Sequence, residues 1–179
     1  MQNRKITTKD ICIIAMLIAI TAVLGFVSGK LRIGTFSKIS FNFISVYITA
    51  VMFGPVVAGL VGVVGDFISA IGTGPYIWII GFIEFVYGFV FGMLFYKKQS
   101  EPEKHSMFVV KSLAATLIIA GVDIFMKSYV LMNVGFAPGP IGAAMMMRLP
   151  MIAVMAVIRF VVLIIMEKSV PRIVASVKR

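Results

Sequence analysis

The chain has 179 residues, of which 60% are hydrophobic and only 13% are charged. A chain this apolar has too few polar side chains to cover a water-soluble fold, so we predict a protein embedded in lipid. The 17 basic residues outnumber the 7 acidic ones, but they lie mostly between apolar runs and do not form the basic face of a nucleic-acid binder. A single Cys12 excludes an internal disulfide, and with one histidine, His105, it gives no basis for a zinc site or Cys/His catalysis. We expect no metal, no cofactor and no nucleic-acid partner.

Apolar runs follow one another along the chain, and a membrane-spanning helix needs ~20 mainly apolar residues. The first run opens with Thr7 or Thr8 as a candidate N-cap, with Asp10 in its first turn. We interpret it as a retained span, because no small-residue signal-peptide cleavage site follows it. The run over 39–71 is too long for one helix, and Gly54-Pro55 predicts a tight turn within it. The predicted helices of this single domain, 1–179, are 11–27, 39–53, 56–71, 76–96, 107–132 and 141–166.

Charge between the spans predicts the topology of this all-α membrane protein. Six transmembrane helices place both termini on one side, and cytoplasmic loops normally carry an excess of Lys and Arg. Most basic residues lie at the two termini and in the polar linker over 97–106. We therefore predict cytoplasmic termini. The outer loops keep only Lys30, Arg32 and Lys38.

Small residues recur four apart along several spans and so share one helical face, where they allow neighbouring helices to approach closely. Close internal packing is the simplest explanation for most of them. The pairs are Ala15/Ala19, Ala58/Gly62 and Gly88/Gly92.

Ionisable residues inside spans are costly and normally face a cavity or a partner, so they are candidates for function. All but one of them fall in the predicted outer half of their helices, and only Arg159 lies deeper. This pattern predicts one pocket that opens to the outside, with the three basic residues of the outer loops as its lid. The spans contain Asp66, Glu84, Asp123, Lys127, Arg148 and Arg159.

Alternative roles exist for some of these charges. Asp123 and Lys127 are spaced i, i+4 and can neutralise each other on one helix. For Arg159, snorkelling or structural pairing is favoured over substrate binding. Glu84 and Arg148 are the strongest binding candidates, because neither has an opposite charge three or four residues away on its own helix.

The segment Gly72-Thr73-Gly74-Pro75-Tyr76-Ile77-Trp78 combines backbone freedom with aromatic rings and is predicted to close over a flat ligand. An interfacial aromatic belt is the alternative explanation for its Tyr and Trp. Near the outer ends of two other helices, Asn42 and Asn133 are predicted either to bind ligand or to cap a helix or turn.

Several short segments, taken in order, resemble the substrate-binding (S) components of energy-coupling factor transporters, and within them the folate family. The first helix also resembles the Ala-xxx-Ala face, here Ala15 and Ala19, by which S components meet a shared transmembrane coupling subunit. The segments are Leu31-Arg32-Ile33-Gly34, Lys38-Ile39-Ser40-Phe41, Phe53-Gly54-Pro55, Gly65-Asp66, Gly72-Thr73-Gly74-Pro75-Tyr76, Gly81-Phe82, Tyr87-Gly88 and Arg148-Leu149.

The resemblance implies a six-helix S-component fold in the bacterial cell membrane and a vitamin bound near the outer face. It also implies import driven by a coupling subunit and two ATPase subunits. The chain has no Walker A pattern, so we expect ATP hydrolysis elsewhere and no enzyme activity in this chain.

Folate chemistry fits the charges. A carboxylate can accept from the pterin edge, an aromatic ring can stack on it, and a basic side chain can pair with the glutamyl tail. The candidate substrate-binding residues are Arg32, Lys30, Asp66, Gly74, Pro75, Tyr76, Trp78, Glu84 and Arg148.

The chain departs from the folate pattern after Tyr76, at Met151 and near Met132-Asn133, so another vitamin is an alternative substrate. Two other classes are alternatives: a structural membrane protein, and a secondary transporter that uses Asp66 or Asp123 for protons. An intramembrane hydrolase is disfavoured because the chain offers no plausible pair of nucleophile and base.

Overall fold

The computed structural model describes residues 7–30, 40–71, 76–96, 105–133 and 141–178, and contains no strand among them. The all-α prediction is therefore confirmed for this part of the chain. The elements are α1 (Thr8–Lys30), α2 (Phe43–Phe53), α3 (Pro55–Ile71), α4 (Trp78–Phe95), α5 (His105–Val122), a π-helical segment (Asp123–Lys127), α6 (Ser128–Asn133) and α7 (Ile141–Lys178).

Helix length separates two groups among the described residues. Four stretches are long and apolar enough to cross a bilayer: Thr8–Lys30, Trp78–Phe95, His105–Val130 and Arg148–Glu167. Helices α2 and α3 are also apolar but shorter than the ~20 residues of an ordinary span. The structure thus shows a helical protein with several candidate membrane spans, and the number of six transmembrane helices stays a prediction.

Two features differ from the predicted helices. The π-helical segment interrupts the helix predicted over 107–132, and nothing in the sequence indicated this change of winding. Helix α7 continues to Lys178, past the predicted end at residue 166. At the start of α1, Thr7 is the cap: its Oγ1 accepts from the Asp10 N–H at 3.4 Å, and its own N–H donates to Asp10 Oδ2 at 3.0 Å.

Gly54 forms the corner between α2 and α3. Its backbone has φ 90° and ψ −176°, a region that is accessible almost only to glycine. The Gly54 N–H donates to Ala50 O at 3.1 Å and so closes α2. Pro55 follows as the first residue of α3, where its missing N–H costs nothing. One residue therefore reverses the chain between two packed helices.

Helices α3 and α4 approach at backbone contact distance because small residues face each other. A Cβ built on Gly88 would lie 2.5 Å from the backbone of Ala58 and Gly59, and one on Gly92 would lie 2.2 Å from the Cα of Pro55. Further along the same interface, a Cβ on Gly62 would lie 3.0 Å from the carbonyl oxygen of Glu84. This close packing fixes the position of α4 and of the acidic residue it carries.

Hydroxyl groups connect α1 to α2. Thr21 Oγ1 lies 2.8 Å from Ser45 Oγ, and Ser45 Oγ donates to Leu17 O at 2.9 Å. One level further along α1, Ser28 Oγ accepts from the Phe41 N–H at 3.2 Å. Helix α3 lies against the same place, since a Cβ on Gly65 would be 2.5 Å from Thr21.

The core lies between α2, α4, α5 and α7 and is built from aromatic and aliphatic side chains. Tyr47 packs edge-on against Phe91 and Phe95, with ring centroids 5.8 and 5.0 Å apart. Ile119 and Leu163 are completely buried beside them. Many large apolar side chains instead lie exposed on the outer surface of the helices, as expected when lipid is the solvent.

We predict that Gly54→Ala destabilises the protein by about 1–3 kcal/mol, because alanine is strained at this backbone conformation. Thermal unfolding of the detergent-solubilised protein measures the effect. Gly121→Ala is the matched control, since no atom lies within 4 Å of a Cβ built there and its backbone is helical. Equal transition temperatures for the two variants would contradict the role assigned to the Gly54 corner.

Candidate functional site

An ion-pair network joins α4, the π-helical segment and α7. Lys127 Nζ lies 3.1 Å from Glu84 Oε1 and 3.2 Å from Asp123 Oδ1, so one ammonium serves two carboxylates. Arg159 Nη2 lies 3.7 Å from Asp123 Oδ2. The local Asp123–Lys127 pair suggested by their spacing forms, and it is extended to two further helices. Four residues thus form a chain of alternating charge across the bundle.

Aromatic rings enclose this network. The Tyr87 hydroxyl donates to Asp123 Oδ1 at 2.5 Å. Lys127 Nζ lies 4.8 Å from the centre of the Tyr87 ring, and the Arg159 guanidinium lies 5.6 Å from that of Phe43. Cations over ring faces are favoured most where water is excluded. The rings therefore lower the cost of holding these charges away from water.

The π-helical segment shapes the site. Wider π turns occur mostly as single insertions in α-helices and often at functional sites. Here Asp123 begins the segment and Lys127 ends it. The backbone carbonyl of Asp123 also accepts a 3.5 Å hydrogen bond from Arg148 Nη1. Side chain and backbone of Asp123 thereby contact Arg159 and Arg148, two of the arginines of α7.

Arg148 differs from the other two cations. It is 8% exposed, and its Nη1 also donates to Ser128 Oγ at 3.1 Å. Its Nε has no hydrogen-bond partner, and no carboxylate in the described part of the chain forms an ion pair with it. Lys127 and Arg159 pair with Glu84 and Asp123, whereas Arg148 has no carboxylate in an ion pair with it among the described residues.

Tyr76 lies two residues before α4, close to the buried carboxylates. Burial raises its pKa, and the negative charges of Asp66 and Glu84 raise it further, so the phenol keeps its proton. Its ring packs edge-on against Phe67 and Trp78, with centroids 5.0 and 5.2 Å away. Trp78 itself is 77% exposed and forms the outer side of this aromatic group.

The structure brings some of the predicted binding residues together and places others apart. Glu84, Arg148 and Tyr76 lie around the network, and Asp66 is buried on α3 within electrostatic range of Tyr76. Lys30 is exposed and lies over the Phe26 ring of its own helix. The predictions for Arg32, Lys38, Gly74 and Pro75 fall outside the described residues.

Sequence reasoning named no partner for Arg159 and did not include Tyr87, which contacts Asp123 and Lys127. Arg159 was expected either to snorkel or to pair structurally; it is 5% exposed and pairs with Asp123. It therefore pairs structurally, one of its two predicted roles, and does not snorkel. Tyr87 was not considered as a site residue; the available signal was its position three residues after Glu84, on the same face of α4. Asn133 donates to Tyr129 O on its own helix and has no other hydrogen bond to the described residues.

A model of the family described as ECF transporter, substrate-specific component, matches residues 9–167. The chain belongs to this family. As a substrate-specific component it is the substrate-binding part of a membrane transporter and not an enzyme.

A known structure has the same fold as this S component. The crystal structure of FolT bound with folic acid matches with a TM-score of 0.75 over 91% of this chain and 95% of that chain, at 22% sequence identity. No curated protein matches the sequence. The fold of this S component is thus shared with FolT, while the identity is too low to transfer the ligand.

We predict that Lys127→Met destabilises the protein by about 3 kcal/mol, because the buried Glu84 carboxylate loses its one cation. The double variant Glu84→Gln/Lys127→Met should recover part of this loss, since it removes the unpaired charge. Thermal unfolding of both variants and of Glu84→Gln completes a double-mutant cycle. Additive effects would mean that the two side chains are not coupled.

Proposed function

We propose that this chain binds folate at the outer face of the bacterial cell membrane as the substrate-binding subunit of an ATP-driven energy-coupling factor transporter. The observation that carries the proposal is Arg148, a buried cation with no carboxylate partner among the described residues. Such a group is costly unless a ligand supplies the missing negative charge. Folate has two carboxylates on its glutamyl tail.

Guanidinium geometry makes Arg148 suitable for this task. Its planar fork forms two parallel hydrogen bonds to a carboxylate. Only Nη1 has partners in the described part of the chain, the Ser128 hydroxyl and the Asp123 carbonyl, which hold the group in place. Nε remains without a partner. A ligand carboxylate at this edge would complete the hydrogen bonding of the side chain.

The opposite end of folate is a flat pterin ring with donors along its edge. Glu84 and Asp66 are buried acceptors, and Lys127 reaches only Oε1 of Glu84. Tyr76 and Trp78 offer ring faces and edges near these carboxylates. The likeness to FolT, whose crystal structure holds folic acid, supports the same ligand class. Lys30, Arg32, Gly74 and Pro75 stay proposed contacts from the sequence.

The proposal includes a topology with six transmembrane helices and both termini in the cytoplasm. The positive-inside distribution of Lys and Arg supports it. In this orientation the N-terminal halves of α4 and α7, which carry Glu84 and Arg148, face outwards, where a scavenged vitamin arrives.

Transport requires partners, which we propose to be a transmembrane coupling subunit and two ATPase subunits. Ala15 and Ala19 are both exposed on α1, next to the large apolar side chains Met16 and Ile20. A stripe of small residues between larger ones lets a partner helix approach closely. This arrangement supports the face suggested by the sequence.

We expect isothermal titration of the purified protein to detect one folic acid per chain without ATP. Arg148→Gln should weaken binding by at least about tenfold, since a charge-assisted hydrogen bond is lost in a buried site. Lys9→Gln, which removes an exposed cation near the start of α1, is the matched control and should bind as the wild type does.

Unrelated vitamins tested in the same way separate the alternatives. Binding of another vitamin without folic acid would retain the transporter class and exclude the substrate. Absence of binding for all of them would favour a structural role for the charges.

For the partner face, we predict that Ala15→Trp and Ala19→Trp keep folic acid binding but abolish uptake in cells that supply the coupling and ATPase subunits. A bulky ring on this stripe would hold the partner helix away. Leu117→Trp is the control, because it enlarges an exposed side chain on α5. Normal uptake by both alanine variants would exclude α1 as the contact.

A further inference from the structure

Asn42 carries a buried polar group that the protein itself does not satisfy. The residue is 3% exposed, and its side-chain oxygen Oδ1 has no hydrogen-bond partner. More than ~90% of buried polar groups in native structures have a partner, and an unsatisfied one costs about 1–3 kcal/mol. A buried carboxamide held in this state therefore needs an explanation.

Helix capping does not explain it. Asn42 directly precedes α2, where asparagine commonly accepts from the first turn of a helix. Here its backbone is itself helical, with φ −54° and ψ −31°, and the side chain forms no capping hydrogen bond. The carboxamide is directed elsewhere.

The surroundings of Asn42 lie on the α1 and α3 side of the bundle. A Cβ on Gly25 would be 3.2 Å from Asn42 Nδ2 and 2.8 Å from Ser69, so the missing side chain of Gly25 leaves the room that the carboxamide uses. Ser69 Oγ donates to Asp66 O, one turn earlier on α3. Asn42 thus lies beside the helix segment that carries a proposed ligand contact.

Asn42 is also connected to the ion-pair network. The next residue, Phe43, lies under the Arg159 guanidinium, which pairs with Asp123. Four buried side-chain atoms in the described part of the chain lack partners: Asn42 Oδ1, Ser112 Oγ, Arg148 Nε and Arg159 Nε. Arg159 is a member of this network, Arg148 donates to the Asp123 carbonyl, and Asn42 directly precedes Phe43. Unsatisfied groups on the network or next to it in the chain are expected where a ligand completes the hydrogen bonding.

We infer that Asn42 is a specificity-determining residue that pairs through its carboxamide with the lactam edge of the ligand's heterocycle. This inference rests on the proposed function. A carboxamide presents an acceptor and a donor side by side, and a lactam presents the complementary N–H and C=O. Oδ1 accepts from the ring N–H and Nδ2 donates to the ring C=O. The carboxylates of Asp66 and Glu84 can only accept hydrogen bonds, so they cannot bind the carbonyl oxygen of the ring. Asn42 supplies the donor that this oxygen needs.

The test uses three ligands: folic acid; pterin, which is the bare ring; and p-aminobenzoylglutamate, which lacks the ring. Isothermal titration compares the wild type with Asn42→Leu, an apolar residue of similar size. Folic acid and pterin should bind at least about tenfold more weakly to the variant, while p-aminobenzoylglutamate binds equally. The ligand-free variant should unfold at the same or a higher temperature, because the unsatisfied amide is gone.

Two outcomes overturn the inference. Unchanged folic acid binding would mean that the ligand does not use the carboxamide. Equal losses for all three ligands would mean that the substitution only distorts the site. If Asn42→Leu does not fold, Asn42→Ala with the same three ligands gives the same comparison. If the wild type binds none of the three ligands, the proposed function is overturned. If the wild type and Asn42→Leu bind folic acid with equal affinity, only this inference is overturned.

Discussion

The position of Lys127 between two carboxylates is the constraint on which the charged end of the bundle depends. Its ammonium lies near 3 Å from both Glu84 and Asp123, which belong to different helices. In a low-dielectric interior an unpaired carboxylate is costly. Because Lys127 pairs with both carboxylates, α4 is held at a fixed distance from the π-helical segment. Asp123 in turn holds Arg159 on α7. These ion pairs thereby fix the relative positions of α4, the π-helical segment and α7.

Backbone packing makes this arrangement precise. Helices α3 and α4 meet through Gly88 and Gly92, which set their spacing at backbone contact, and Gly62 lies against the carbonyl of Glu84 itself. The carboxylate therefore projects from a helix that cannot shift towards or away from its neighbour. Rigid elements position polar groups more accurately than loops do, which suits a site that must recognise one small molecule.

Sequence reasoning identified the charged residues because lipid makes each of them exceptional. Ionisable residues are rare in apolar helices, and their approximate depth follows from counting residues. This made it possible to select Glu84, Asp123, Lys127 and Arg148. Which carboxylate meets which cation across helices depends on helix rotation and tilt, which one sequence does not encode locally. The partner of Arg159 was not predicted for that reason. The π-helical turn at Asp123 has no residue signature, and Asn42 was equally consistent with capping until its backbone conformation was known.

The hydroxyl bonds between α1 and α2 have a mechanical consequence. Thr21, Ser45 and Ser28 tie α1 to its neighbours at two levels, and Gly65 brings the α3 backbone against Thr21. Hydrogen bonds surrounded by apolar groups have no competing water to exchange with, so they resist shear between the helices. A force applied to the exposed face of α1 is then carried into α2 and α3 and not absorbed by bending of one helix. Helices α1, α2 and α3 therefore move together when a partner displaces α1.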